Sequence, residues 1–383
     1  MVNVIISSKY NYPAYKAGGP IQSVFNMIDM LKGNANFKFK VLSSNEDIDG
    51  TIISNEVFSL FGKSEFYYSR GIIRYTFKLL SQSRKSKVLY LNSLFDPVYT
   101  LIPLLLFKAG LISPEKVIVA PRGQLYSEAI SKGYSKKKLY LRILKKIGVF
   151  NSVHFHATSI DEVEQIRKEN FSEKTEVSFI ENVPDYSLLG KAIVNNKMAH
   201  KINITYAARV VPHKNLLFAL KTIKLSGCCN VHIDAYGAIE DAAYYSECVN
   251  FSQKNNISIS FKGPKERPEL MEAVASSDLF FLPTKSENFG HSIFESLSLG
   301  VPVLISNNTP FKMLVDHDAG FDISLESISD FVDAIKFYYS LDGDKYQKYA
   351  DSAKSYIFEN NFSKIEKLKL NYSKLFATEE GNV

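Results

Sequence analysis

The stretch DLFFLPTKSENFGHSIFESLSLGVPVLIS, Asp278–Ser306, decides the fold. It opens with a short apolar run, DLFFLPT, that reads as a buried strand ending near Thr284. Lys285–Gly290 follows as a loop, with Gly290 supplying backbone freedom. His291–Leu299 is apolar at helical spacing and is stopped by Gly300 and Pro302. VPVLIS then returns as a second buried strand. Strand, loop, helix and strand in this order make one βαβ unit, and two such runs with no polar alternation point to a parallel sheet covered on both faces.

The same alternation extends in both directions. VNVIIS (2–7), KFKVLSS, VLYLN, KVIVA, VHFHA and TEVSFI (175–180) read as strands of a first half, with helical patterns between them. Pro20–Leu31 is one of these helices, with Pro20 near its first position and Gly33 just past its end. Ser159 and Glu162 form a capping box that opens another. INITYAA (202–208), VHIDAYG and ISISFKG precede the opening stretch in a second half. Residues 184–201 have little periodicity and read as a linker. The expected organisation is 1–188 as one α/β domain, 201–362 as a second, and 363–383 as a charged C-terminal helix packing back on the first. A chain of 383 residues is of the length for two such domains.

Composition narrows the function classes. The apolar fraction is 45% and the charged fraction 22%, as in a globular chain. Cys228, Cys229 and Cys248 fit neither a zinc spacing nor a disulfide framework, which suits a reducing compartment. The N-terminal MVNVIISSKY reads as no signal peptide, and the run around Val98–Phe107 is too short to span a bilayer and contains Pro103. A soluble cytoplasmic enzyme is the expectation. The net charge of +6 says little by itself, but its placement is uneven. Lys132–Lys146 holds seven basic residues and no acid. On a helix over 135–147, Tyr140, Ile143, Leu144 and Ile147 form the expected buried stripe, with Lys138, Arg142, Lys145 and Lys146 opposite. That face is either a plain solvated surface or a partner for anionic lipid or an anionic acceptor, on the inner face of the cytoplasmic membrane. Arg70, Arg74, Lys78, Arg84, Lys85 and Lys87 form a second basic region. No nucleic-acid-binding motif accompanies either, so nucleic acid is not the expected partner.

Open parallel sheets bind ligands beyond the carboxyl ends of their strands, and three constellations lie there. Tyr15-Lys16-Ala17-Gly18-Gly19-Pro20 follows the first strand and enters a helix, so Gly18 and Gly19 allow either a close approach to an anion or simply a tight turn. Ala208-Arg209-Val210-Val211-Pro212-His213-Lys214 follows the first strand of the second half. Arg209 offers a planar fork and Lys214 a point charge, a pair suited to a diphosphate or, more plainly, two exposed cations. In the opening stretch, Glu287 precedes the helix and Glu295 lies just over one turn into it. Sugar hydroxyls, which donate to carboxylates, would partner such acids. The alternative is an acid at a helix N-terminus plus a surface glutamate.

Arg209-x4-Lys214 followed by Glu287-x7-Glu295 resembles the retaining glycosyltransferases of family 4, which use nucleotide-sugars. Ala17-Gly18-Gly19-Pro20, Pro121-Arg122-Gly123, Asn182-Val183-Pro184-Asp185, Tyr236-Gly237, Phe261-Lys262-Gly263 and Thr309-Pro310-Phe311 stand where that family has similar signatures. The resemblance implies the GT-B fold, two doubly wound Rossmann-like domains facing across a cleft. It implies that Arg209 and Lys214 hold the diphosphate as it leaves. Glu287, with the amides of Asn288, Phe289 and Gly290, would hold the donor sugar, and Glu295 the ribose. Gly18 and Gly19 would approach the phosphate, and Gly237, Lys262 and Gly263 would lie near the base. No metal is implied. A double displacement through the two glutamates is disfavoured, because the resemblance makes Glu295 a ribose ligand; same-face attack assisted by the leaving phosphate is implied instead.

One departure stands out. Many members carry a histidine in a first-domain loop, whereas here none precedes His154. Pro121-Arg122-Gly123 resembles a subgroup with arginine in that region, making Arg122 an acceptor-side candidate against the alternative of a structural ion pair. His156 is a second candidate, against the alternative of a buried, satisfied histidine. The expected activity is transfer of a hexose-type sugar from a nucleoside-diphosphate sugar to a lipid-linked or oligosaccharide acceptor in surface-polysaccharide assembly: O-antigen, capsule or exopolysaccharide. The alternatives are a nucleotide-sugar epimerase on the same fold and an inactive nucleotide-sugar-binding protein.

Overall fold

The structure is a computed structural model that describes all residues except 17, 54–57, 61–63, 127–133, 190–196, 362–363 and 379–383. Ala17 of the first glycine constellation and Lys132 of the basic run therefore lie outside the described residues, as do parts of the linker and of the C-terminal segment. The chain divides into two compact units, Met1–Val183 with Ile365–Val383, and Pro184–Lys364.

Unit 1 is built on β1 (Val2–Ser7), α1 (Gly19–Leu31), β2 (Phe37–Ser44), β3 (Phe58–Leu60), β4 (Ser64–Ser69), α2 (Gly71–Ser83), β5 (Val88–Leu91), α3 (Ile102–Lys108), β6 (Lys116–Val119), α4 (Tyr134–Lys146), β7 (Val153–Ala157), α5 (Ile160–Glu169) and β8 (Glu176–Phe179). The sheet order is β3-β4-β2-β1-β5-β6-β7-β8. Every pairing is parallel except the antiparallel edge pair of β3 and β4. The sequence reading did not foresee that edge pair.

Strand alternation assigns the two faces of this sheet. Ile5, Leu89, Leu91, Val117, Val119 and Phe155 form one cluster with Tyr75 and Leu79 of α2, Leu104 of α3, Leu141 and Leu144 of α4 and Ile166 of α5. Those four helices thus cover the same face. Tyr90 points to the other face, where its ring lies 5.7 Å from Phe376 of the C-terminal helix α12 (Lys364–Phe376).

The buried stripe of α4 differs from the expected one. Leu141 and Leu144 are buried, whereas Ile143 and Ile147 are exposed. The helix is rotated so that Lys145 turns toward Glu169, at 2.9 Å, instead of lying on the outer face. The sequence pattern misled because α4 has more apolar residues than the sheet can cover, so periodicity alone could not say which set wins.

Unit 2 comprises β9 (Ile202–Ala207), α6 (Leu216–Ser226), β10 (Val231–Tyr236), α7 (Ala242–Lys254), β11 (Ser258–Gly263), α8 (Arg267–Ala275), β12 (Leu279–Leu282), α9 (His291–Ser298), β13 (Val303–Ser306), β14 (Gly320–Ile323), α10 (Ile328–Ser340) and α11 (Gly343–Asn361). The order β11-β10-β9-β12-β13-β14 is all parallel. Counted from β9, this is strand order 3-2-1-4-5-6, the Rossmann arrangement, with its switch point between β9 and β12. Helix α9 is enclosed nearly all round: Ile293, Phe294, Glu295, Ser296, Leu297 and Ser298 are all buried. A helix apolar on one side only would have left Glu295 in water; here it is drawn into the interior with its neighbours. Gly300, at φ 78°, ends the helix, and Val301 N donates to Ser296 O to close the last turn.

Candidate functional site

The loops after β9 and β12 meet at the switch point of unit 2, because those two strands are neighbours that lead in opposite directions. They are joined by backbone: Lys285 N donates to His213 O at 2.8 Å, and Glu287 N donates to Asn308 O at 3.1 Å beyond β13. Asn215 adopts the left-handed conformation that starts α6, which asparagine tolerates. The result places Lys214 against Glu287 as a half-enclosed ion pair, with side chains 12% and 16% exposed. A cation and an anion are thereby fixed beside one another at the carboxyl ends of the sheet.

Arg209 leaves the same loop but turns toward β10. Its Nη1 donates to both carboxylate oxygens of Glu240, at 2.8 and 3.1 Å. Val210 N donates to Ala238 O at 2.9 Å, which ties the two loops together. Both cations therefore carry a carboxylate partner. A diphosphate, which offers more acceptor oxygens and charge, can replace Glu240 and share Lys214 with Glu287.

Glu295 has a different partner. Arg267, the first residue of α8, donates from Nη1 to Glu295 Oε1 at 2.6 Å, and from Nε and Nη2 to Asp185 Oδ2 at 3.2 and 2.8 Å. Burial pushes the Glu295 carboxyl up from its ordinary value, and the Arg267 charge opposes that shift. For Asp185 burial acts upward too, but the Ser187 hydrogen bonds and Arg267 together bring it below the ordinary value. One hydrogen bond leaves a carboxylate with further acceptor capacity, so Glu295 can still receive a hydroxyl.

The remaining unit 2 candidates surround these groups. Gly290, at φ 81°, caps α9 without a side chain, so the helix N-terminus with Asn288 and Phe289 beside it is bare of a side-chain cap. A Cβ at Gly290 would press on Glu287 Cγ at 3.2 Å. Gly237, at φ 140°, is required by the backbone itself, since a Cβ there would sit 2.1 Å from Ala208 O. Its N–H donates to Gly263 O at 3.0 Å, and Lys262 Nζ lies 3.4 Å from Asp234 Oδ1. Gly237 and Gly263 thus have a structural duty, the convergence of β9, β10 and β11, whatever else they contact.

In unit 1, Gly18 begins α1 at φ 76° and ψ −138°, a glycine conformation, and Gly19 is the first helical residue. Asp47 accepts from the N–H groups of Tyr15 and Lys16 at 3.0 and 3.1 Å and holds the loop before them. Arg122 follows β6 in the left-handed conformation, φ 55°. Its guanidinium donates to Asn92 Oδ1 at 2.7 Å, to Tyr90 Oη at 2.7 Å and to Asn182 Oδ1. These partners follow or lie on β5 and β8, so Arg122 ties strand ends together through neutral groups and not through an ion pair. The capping box differs in detail from expectation. Ser159 Oγ accepts from Glu162 N at 3.1 Å, but the Glu162 carboxylate accepts from Thr158 N at 2.7 Å and Gly123 N at 2.5 Å.

His156 is fully buried. Its Nε2 is 2.9 Å from Ile180 O and its Nδ1 is 2.8 Å from Tyr90 Oη. A carbonyl only accepts, so Nε2 carries the proton and Nδ1 accepts from the tyrosine. Burial, with Arg122 nearby, pushes its pKa down to about 3. The enclosed, satisfied imidazole matches the structural alternative for this residue.

Glu240 and Arg267 were not singled out by sequence, and Asp185 stood only within the Asn182–Asp185 signature, with no role assigned. Arg267 did leave a trace: a cation at the first position of a helix opposes the macrodipole and calls for an acidic partner. Nothing in the sequence paired Arg209 with Glu240.

Over 98% of both chains, the fold matches sucrose-phosphate synthase from Thermosynechococcus elongatus with a TM-score of 0.73 at 15% identity. HepE of Anabaena, solved with UDP and glucose, matches over 98% of this chain and 99% of its own with a TM-score of 0.71 at 14% identity. WaaG, a glycosyltransferase involved in lipopolysaccharide biosynthesis, matches over 96% and 98% with a TM-score of 0.64 at 12% identity. The fold is GT-B, two Rossmann-like α/β domains in one chain. The family model described as glycosyl transferases group 1 matches residues 193–356, the part of the chain that carries Arg209, Lys214, Glu287 and Glu295. No curated protein matches the sequence. Among the described residues, no helix is long and apolar enough to cross a membrane.

Proposed function

We propose that the protein is a retaining glycosyltransferase of family 4 that takes a hexose-type sugar from a nucleoside-diphosphate sugar. The observation that carries this reading is the pairing of Lys214 with Glu287 at the β9–β12 switch point, inside the segment matched by the group 1 family model. HepE, of similar fold, holds UDP and glucose. In this reading the diphosphate lies at the switch point. Arg209 exchanges Glu240 for phosphate oxygen, and Lys214 faces the oxygen that gains charge as the sugar departs. These cations supply the positive charge that the leaving group needs, so the reaction is proposed to run without a metal. Glu287 and the N-terminus of α9 hold the sugar, Glu295 receives the ribose hydroxyls, and Gly237, Lys262 and Gly263 border the base. Gly18 and Gly19 are the proposed phosphate contacts from unit 1, and Arg122 acts on the acceptor side by shaping the strand ends around Asn92 and Asn182.

The acceptor is proposed to be a lipid-linked or oligosaccharide chain in surface-polysaccharide assembly, with transfer on the cytoplasmic side of the membrane. The test is incubation with a panel of nucleotide-sugars and lipid-linked acceptors, reading released nucleoside diphosphate and, by NMR, the anomeric configuration of the product. Release with an inverted product would overturn the retaining assignment. Donor binding with no transfer to any acceptor would favour the binding-protein alternative, and isomerised donor would favour the epimerase.

A further inference from the structure

The helices that cover one face of the unit 1 sheet expose an unusual set of side chains. On α2, Ile73 is 72% exposed and Phe77 70% exposed, with Ile72 beside them at 54%. On α4, Leu139 and Ile143 are 56% and 52% exposed, and Ile147, the residue after its end, is 44% exposed. Single exposed apolar residues are ordinary on a soluble surface, but three along each of two neighbouring segments are not. Positions 139, 143 and 147 repeat every four residues and form one outward stripe. Ile147 continues the helical pattern, its N–H donating to Ile143 O at 3.0 Å.

Both helices point outward in the same direction. Their inward residues, Tyr75 and Leu79 of α2 and Leu141 and Leu144 of α4, pack in one cluster on one sheet face. Among the described helices only α3 stands between them in sheet order, and it adds Leu105, 40% exposed, to the layer. The two stripes are therefore parts of one outer surface, roughly 20 Å across at ordinary helix spacing.

The charges on that surface have one sign. Phe66 to Phe95 contains no acidic residue, nor does Ala129 to Ile160. Arg74 is exposed on α2, and Lys136, Arg142 and Lys146 flank the α4 stripe and are exposed. The next helix on the same face, α5, lacks this character, since Asp161 and Glu164 are exposed on it. A protein partner would ordinarily present polar and acidic groups in a defined pattern. An anionic bilayer presents what these helices ask for: a plane of negative headgroups over an apolar layer that Ile73, Phe77 and Ile143 can enter.

We propose that the outer face of α2 and α4 docks unit 1 on an anionic lipid surface, with the apolar stripes inserted at the headgroup boundary and the flanking cations on the lipid charges. The proposal rests on unit 1 alone and does not depend on the donor reading of unit 2. It also changes the residues concerned from those the sequence suggested. Lys145 belongs to the ion pair with Glu169, whereas Ile143 and Ile147 belong to the docking face, and α2 joins it.

The test is cosedimentation of the full chain with vesicles of phosphatidylcholine alone and of phosphatidylcholine with phosphatidylglycerol, at low and high salt. The variants are Ile73→Ser with Phe77→Ser, Ile143→Ser with Ile147→Ser, and Arg74→Gln with Arg142→Gln and Lys146→Gln. All these side chains are exposed, so unchanged thermal unfolding is expected and is checked. Each cation near an anionic surface is worth about fivefold in binding, so the charge variant is expected to lose about a hundredfold. Each serine pair is expected to lose about tenfold or more. Equal binding to both vesicle types, or wild-type binding by all three variants, would overturn the proposal. So would a wild-type dimer in size exclusion that the serine variants convert to monomer, which would make the face an interface between two copies. Nucleotide binding, measured separately, reports on unit 2 and is expected to be unchanged in every variant.

Discussion

Replacing Arg267 by Met keeps the aliphatic stem and removes the charge that faces Glu295 and Asp185. Glu295 is 6% exposed at its side chain, Asp185 20% and Arg267 28%. Breaking a buried ion pair by removing one partner costs about 3–5 kcal/mol. Water reaches Arg267 and Asp185 in part, which places the loss at the lower end, about 3 kcal/mol. The loss depends on pH in a definite direction. Burial already raises the Glu295 pKa and Arg267 holds the shift in check, so the Met variant raises it further. A carboxyl with a raised folded-state pKa keeps its proton while the unfolded chain gives it up. The penalty is therefore absent below the unfolded carboxylate pKa of about 4, grows as pH rises, and is complete above the raised folded value. Differential scanning calorimetry at pH 5 and pH 8 reads this directly. For a unit of this size about 2–4 °C corresponds to 1 kcal/mol, so the unit 2 transition should fall by about 6–12 °C at pH 8 and clearly less at pH 5. Arg267→Lys should recover part of the loss. Equal shifts at the two pH values, or no shift, would refute the reasoning that a buried charged Glu295 depends on Arg267.

Three further outcomes follow from the same geometry. Gly237→Ala places a methyl group 2.1 Å from Ala208 O, so it should lower the unfolding temperature of unit 2, by about 5 °C or more, and impair nucleotide binding with it. In the proposed reading, Glu240→Gln frees Arg209 from a carboxylate that competes with phosphate. It should leave nucleoside-diphosphate affinity equal or a few-fold tighter, about 0.5–1 kcal/mol, in calorimetric titration, and a large loss would show that Glu240 orients Arg209 for binding. The His156 ring, with its pKa lowered to about 3, should show no imidazole titration by NMR between about pH 5 and pH 8. A midpoint in that range would mean that it is not enclosed as described.

The two parallel sheets were legible in the sequence because strands buried on both faces are written as unbroken apolar runs, such as Leu279–Leu282 and Val303–Ser306. The edge strands β3 and β14, and β4 next to the edge, were not, since Ser64–Ser69 and Gly320–Ile323 are only partly buried and mix polar with apolar residues. The loops that hold Arg209, Lys214 and Glu287 could be placed, because each follows a recognisable strand and precedes a recognisable helix. The pairing of the charges could not. Glu240 and Arg267 lie on other loops and helices, and only the strand order 3-2-1-4-5-6 brings their ends together. Helix α4 shows the opposite failure. Its periodicity was clear, but two apolar stripes competed, and the sheet selected Leu141 and Leu144.

The most direct measurement is nucleoside-diphosphate release from the preferred nucleotide-sugar by wild type and by Lys214→Ala, side by side, with folding of both checked by calorimetry. In the proposed reading Lys214 faces the charge that develops on the departing diphosphate, and removing one such stabiliser costs about a hundredfold to a thousandfold in rate. A folded variant slowed to that extent is the expected result. A folded variant that releases the diphosphate as fast as wild type would contradict the assignment of this site.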